Sequence, residues 1–296
     1  MRGPVRTGVL VALSVGGLLT MGITPAFADS PNGEIQQTVN VVGDGSAVHL
    51  DHSRIQSGSI RFTVSSANRS GGGSEIAMFQ PKAGKTVSRV LHDLQDEFSR
   101  YPRMAADGTR ELTADARFLG LADPAMGQTE VVTEFLSPGT YYLLDMGNTP
   151  QGAPTVTTLT VRRAGKHIEQ DSDLRSQTTV WANSADRFVA PPSWPHQGTY
   201  TFKNVSDTLH FMELQPVKRG TTDAQIQRYF DSGSQSQPPF ALNGPSAGND
   251  VVSPGGSLQV TYNLPRGTYV LLCFVADDVT GMPHAVMGMH KVVILH

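Results

Sequence analysis

The sequence predicts a mainly β protein of two tandem β-sandwich domains, each interrupted by a short helical insertion. Three observations predict it. Gly139-Thr140-Tyr141-Tyr142-Leu143-Leu144 returns as Gly267-Thr268-Tyr269-Val270-Leu271-Leu272. Other segments recur around that box in the same order. Most of them alternate apolar and polar residues with the period of two that a half-buried strand requires.

Residues 1–28 read as a secretory signal peptide. Arg2 and Arg6 precede an uncharged stretch from Gly8 to Ile23, and Ala26-Phe27-Ala28 ends in a cleavage-site pattern. That apolar stretch is shorter than the roughly 20 residues of a spanning helix, and no later run spans a bilayer. The mature chain is therefore expected to be secreted, by bacterial export, and soluble. Its formal charge of −3 becomes more negative by two when Arg2 and Arg6 are removed. Such a balance gives no footprint for nucleic acid or anionic lipid. A single cysteine excludes an internal disulfide. Asn68-Arg69-Ser70 and Asn204-Val205-Ser206 have the form of glycosylation sequons.

The first copy spans residues 33–163 and the second 177–296, with the polar segment 164–176 as linker. Gly58 to Val64 aligns with Gly198 to Asn204, and Glu75 to Pro81 with His210 to Pro216. Ile60, Phe62 and Val64 form one strand face, Tyr200, Phe202 and Asn204 its counterpart. Strands follow over 258–264, 269–275 and 291–295; the run from Val270 to Val275 is apolar on both faces, as in a central strand between layers. Thr86 can cap a helix with Val87, Val90, Leu91, Leu94 and Phe98 on one face. Thr222 opens a shorter one, with Ile226, Tyr229 and Phe230 inward. The turn-rich segments 103–123 and 233–249 are expected to wrap the sandwich.

On these residues the second copy resembles the cupredoxins, the blue copper proteins. The strand Phe202-Lys203-Asn204 is followed closely by His210, and the Gly267 to Leu272 strand leads to Cys273, then His284 and Met289. The resemblance implies a cupredoxin-like Greek-key sandwich with copper held by His210, Cys273 and His284, and Met289 as axial ligand. It implies a redox or copper-transfer partner protein. Thiolate and two imidazoles with a weak thioether make a trigonal copper site. One departure stands out: ten residues, Phe274 to Pro283, separate Cys273 from His284, whereas the family keeps them closer. The segment from Ala276 to Gly281 has the composition of a turn, so an excursion and return can close that gap. In the first copy Glu75 aligns with His210, Asp145 with Cys273, and Thr155 falls near the place of His284, so that copy is expected to hold no metal.

Other readings compete. Cys273 fits an inert core thiol. Met282, His284, Met287, Met289 and His290 lie within nine residues, a mixture that suits a Cu(I) carrier without the thiol. A metal-free exported scaffold is the reading from a different class. Gly244-Pro245-Ser246-Ala247-Gly248 matches a nucleophile-elbow pattern but lacks a flanking strand and helix. Gly84-Lys85-Thr86 reads as a helix cap rather than a phosphate loop. The chain has no His-x-His pair of the kind that builds oxidase copper centres, and an enzyme is not expected.

Overall fold

A computed structural model describes residues 37–68, 73–147, 155–165 and 176–296. The expected signal peptide and most of the expected linker lie outside these residues. The first half holds strands β1 (Gln37–Gly43), β2 (Val48–Leu50), β3 (Arg54–Gln56), β4 (Gly58–Ser66) and β5 (Ile76–Pro81). Helices α1 (Val87–Glu97) and α2 (Pro102–Asp115) follow, then β6 (Ala116–Ala122), β7 (Thr129–Leu136), β8 (Gly139–Asp145) and β9 (Thr157–Arg162). The second half holds β10 (Thr178–Asn183), β11 (Arg187–Val189), β12 (Ser193–Trp194), β13 (Gln197–Asn204) and β14 (His210–Val217). It ends with α3 (Asp223–Asp231), β15 (Ala247–Val252), β16 (Ser257–Asn263), β17 (Gly267–Leu272) and β18 (His290–Leu295).

Two sheets face each other. One has the order β11-β10-β13-β16-β7-β4-β1-β2, the other β12-β18-β17-β14-β15-β6-β5-β8-β9-β3. Each sheet runs through both halves, joined by antiparallel pairing of β16 with β7 and of β15 with β6. Outward from those seams, the order in one half retraces the order in the other. The result is mainly β and built from two large sheets, consistent with the tandem β-sandwich domains that the sequence predicts, with each sheet continuous across both halves.

The alternating strands supply the filling. Ile60, Phe62 and Val64 are fully buried, as are Tyr200, Phe202 and Asn204, while Leu258, Val260, Tyr262 and Leu264 face the same interior. Val270 points the other way, into a smaller cluster with Val217 and Ile226 beneath α3. The expectation of a strand buried on both faces thus holds for β17. Its length does not: pairing stops at Leu272, and Cys273 stands just beyond the sheet.

The first half carries a longer insertion than the sequence reading gave it. Residues 103–115, read there as a wrapping loop, belong to α2. Pro102 occupies the first turn, where its missing N–H costs nothing. Ala105, Ala106, Thr109 and Leu112 then form a buried stripe of small and apolar residues. Gly108, which reads like a turn former, is a packing device: a Cβ there would lie 2.2 Å from the Glu97 nitrogen of α1. Arg89 of α1 ties the pair together through Glu111 at 2.7 Å and Asp115 at 3.3 Å on α2. Phe98, assigned to the inner face of α1, is about half exposed because the helix ends before it. Among the described residues no helix is long and apolar enough to cross a membrane.

Candidate metal centre

Three chain segments build the site. Asn204, at the end of β13, is buried and donates both amide hydrogens, to the Thr208 and Val252 carbonyls at 2.8 and 2.7 Å. Its Oδ1 accepts the Ser206 N–H, so the short loop into β14 is knitted to one side chain. Both sequon asparagines, Asn68 and Asn204, are fully buried, which leaves no amide exposed for a glycan. The register of β14 against β15 then shifts between His210 and Met212, a bulge of the kind that re-aims a side chain.

Cys273 follows β17 directly. The ten-residue excursion after it closes as a hairpin: the His284 N–H donates to the Val275 carbonyl at 3.0 Å, and Ala276 bridges Pro283. Asp277 shapes the tip by accepting the Val279 and Thr280 N–H groups on its carboxylate. The Ala285 N–H then reaches the Cys273 carbonyl at 2.6 Å. The chain leaves and returns, and His284 ends beside Cys273. The first half braces this hairpin. Glu97 of α1 accepts the Ala276 N–H at 3.1 Å, Arg110 of α2 donates to the Asp278 carbonyl, and Gly281 lies directly against the Pro102 backbone.

His210, Cys273 and His284 are all fully buried, and their donor atoms lie within 4.8 Å of one another. The Cys273 Sγ is 3.7 Å from His210 Nδ1 and 3.7 Å from His284 Nδ1. The imidazole centroids stand 4.7 Å apart. A central ion bonded to nitrogen at about 2.0 Å and sulfur at about 2.3 Å, with donors at trigonal angles, would separate them by about 3.7 Å. The donor set therefore fits a thiophilic, imidazole-binding metal ion.

Burial drives the thiol of Cys273 up to about 12, although hydrogen bonds from the Phe211 and Val275 N–H groups pull it down. Burial, and then the neighbouring His210, push His284 down to about 4. The Cys273 thiol and the His284 ring are thus neutral on their own, and a bound cation must displace the thiol proton. Asp186, in the turn between β10 and β11, lies on the outer side of both rings. Its Oδ1 is 3.4 Å from His210 Nε2 and 4.0 Å from His284 Nε2. Burial raises this carboxyl, but the His210 contact and the charges of His284 and Arg187 outweigh it and hold it below its usual value. Sequence reasoning missed Asp186; an Asn-x-x-Asp turn far from the ligands carries no signal of its own.

Met289 is fully buried in the same apolar core as Cys273, with its N–H on the His284 carbonyl at 2.8 Å. The other members of the Met and His cluster disperse. His290 directs its two ring nitrogens to Asp223 and Gln227, both on α3. The Met287 sulfur takes the Thr280 hydroxyl at 3.4 Å. Ser246 sits in a loop that leads into β15, so the strand follows the serine instead of preceding it, the reverse of a nucleophile elbow.

No protein-family model matches the chain, and no curated protein sequence does. Similar solved structures include reduced auracyanin from Roseiflexus castenholzii, 20% identical over 40% of this chain and 94% of that one, with a TM-score of 0.25. Reduced rusticyanin is 17% identical over 40% of this chain and 77% of its own, also at 0.25. The copper nitrite reductase of Nitrosomonas europaea is 11% identical over 88% of this chain and 94% of its own, at 0.23. At such identities the fold rests on its own strand pairing and the site on its own geometry.

Proposed function

We propose that this is an exported cupredoxin-like protein whose second half holds one copper ion for electron transfer or copper handling. His210 Nδ1, Cys273 Sγ and His284 Nδ1 would hold the ion as principal ligands, and Met289 would offer a weaker thioether donor. The first half is a metal-free, degenerate copy that serves as scaffold, a reading supported by its retraced strand order and by its grip on the Cys–His hairpin. The physiological partner is a redox or copper-transfer protein. One observation carries the reading: a fully buried thiol stands 3.7 Å from Nδ1 of each of two fully buried imidazoles, the sulfur–nitrogen spacing of a trigonal site.

Copper, when bound, supplies one-electron exchange between Cu(II) and Cu(I). The chain supplies the rest. Cys273 yields its proton and becomes the thiolate donor, the two rings offer their Nδ1 lone pairs, and the fully buried setting keeps water from the sulfur. Thiolate and imidazole in that geometry favour copper over hard cations such as magnesium or calcium.

Titration of the purified protein with Cu(II) is expected to give an intense blue or green band at one equivalent. Cys273→Ser abolishes it. Colourless binding of Cu(I) that survives Cys273→Ser would replace the type 1 reading with a methionine-based carrier, and no binding in either oxidation state would leave only a scaffold. Amino-terminal sequencing of the exported protein is expected to begin at Asp29; retention of Arg2 and Arg6 would overturn the export assignment.

A further inference from the structure

The residue that sets the outer edge of the site is Asp186. Asp186 has φ of 51°, the one positive value among the described non-glycine residues. The turn is built by Asn183, whose side-chain oxygen accepts the Ala185 and Arg187 N–H groups at 3.1 Å each, while its carbonyl accepts the Asp186 N–H. A left-handed turn position suits Gly or Asn at least as well as Asp. The backbone therefore does not account for a carboxylate here; what the carboxylate touches does.

Both ring Nε2 atoms are buried, and neither has a formed hydrogen bond within the protein. Asp186 Oδ1 is the acidic oxygen within ion-pair reach of both, at 3.4 and 4.0 Å. Asp277 also stands near His284, but its Oδ1 is committed to the Val279 and Thr280 groups that shape the hairpin. Asp186 is also the more exposed member of the group, with 23% of its side chain accessible. It therefore sits between the buried donors and solvent.

We propose that Asp186 is a positioning residue: its carboxylate holds His210 and His284 as Nε2–H tautomers, so that both Nδ1 lone pairs face the Cys273 sulfur. Which imidazole nitrogen binds a metal is set by the hydrogen bond that the other makes, and carboxylates are common partners of ligand histidines. One carboxylate serving two ligand rings also adds negative charge beside the centre. That charge favours Cu(II) over Cu(I) and lowers the reduction potential. Only this redox consequence rests on the copper reading; the tautomer assignment belongs to the metal-free protein.

The test uses the full chain, labelled with nitrogen-15 at histidine. Long-range proton–nitrogen spectra of the metal-free wild type are expected to show both rings as Nε2–H. Asp186→Gly keeps the left-handed turn and removes the acceptor, so at least one ring should gain Nδ1–H population. Unchanged tautomers in Asp186→Gly, or Nδ1–H rings in the wild type, would overturn the proposal. With copper bound, Asp186→Asn keeps an acceptor but removes the charge, and Cu(II) affinity should fall by about 10–100-fold. Each tenfold loss not shared by Cu(I) raises the potential by about 59 mV. Equal losses for both oxidation states would mark Asp186 as merely structural. A protein that binds no copper yet shows the tautomer response would end the copper reading and leave this one standing.

Discussion

The matched ends of the two halves solve the same burial problem in opposite ways. Leu144 and Leu272 occupy the same place in the Gly-Thr-Tyr strand, and pair with Ala77 and Glu213 respectively. His210 stands three residues before Glu213, and the residue three before Ala77 is Ser74. Strand pairing thus sets Ser74, not Glu75, at the place of His210; the alignment by sequence alone was one residue out. Asp145 does sit where Cys273 sits. Its oxygens accept the Gly45 and Gly147 N–H groups at 2.7 and 3.0 Å, and Ser74 bonds Ser66 beside it. Thr155 donates its N–H to the Ser46 carbonyl, far from a ligand's task. The first end is closed by hydrogen bonds. The second turns a thiol and two ring nitrogens toward one point. The same frame carries either, and the side chains at a few strand ends decide which.

If the halves share sheets as closely as the pairing indicates, they should unfold together. Phe62→Ala and Phe202→Ala each empty a fully buried aromatic position and should cost about 3–5 kcal/mol. Calorimetry should give one transition for each variant, lowered as a whole. Two separated transitions, with only the mutated half destabilised, would break the comparison.

The brace between the halves gives the next effect. Glu97→Ala strips the Ala276 N–H of its acceptor and should cost about 1–3 kcal/mol, with faster copper loss measured by chelator challenge. Stability without copper loss would show that the hairpin stands alone. The acids along the seam also predict a pH dependence. Burial first, then neighbouring acids, raise Glu75 to about 8; burial raises Glu130 to about 8 despite backbone hydrogen bonds, and Glu97 and Asp250 to about 7. Protonated acids of this kind stabilise the fold fully below their unfolded values near 4, and that contribution is lost as pH rises through 7 to 8. His284 works in reverse: its contribution is present above about 6.5 and lost as pH falls toward 4. Four acids outweigh one histidine, so thermal melts of the metal-free protein should fall as pH rises from about 5 to about 8. Glu97→Gln, which stays neutral, should flatten that fall; a steeper one would count against the seam.

The smallest contrast lies in the helix caps. Thr86 accepts the Arg89 N–H at 3.2 Å, whereas Thr222 exchanges bonds with Gln225 in both directions. Either threonine replaced by Ala should cost about 1 kcal/mol in urea unfolding. Neither change should alter a copper spectrum.

The sequence by itself determined the mainly β character, the recurring Gly-Thr-Tyr strand, both helix starts and the candidate donors. Those features are local: alternation fixes a strand, a threonine before a helical stripe fixes a cap, and residue chemistry fixes what can bind. Three things waited for the tertiary structure. A second helix in the first half emerged because Gly108 packs against a neighbouring backbone, an advantage invisible without the neighbour. The return of His284 to Cys273 depended on a hairpin held from the other half. Asp186 met the histidines because a turn in one sheet was carried over strand ends in the other. Each is a contact between segments far apart in the chain, and such contacts are chosen by the packing of the whole sandwich.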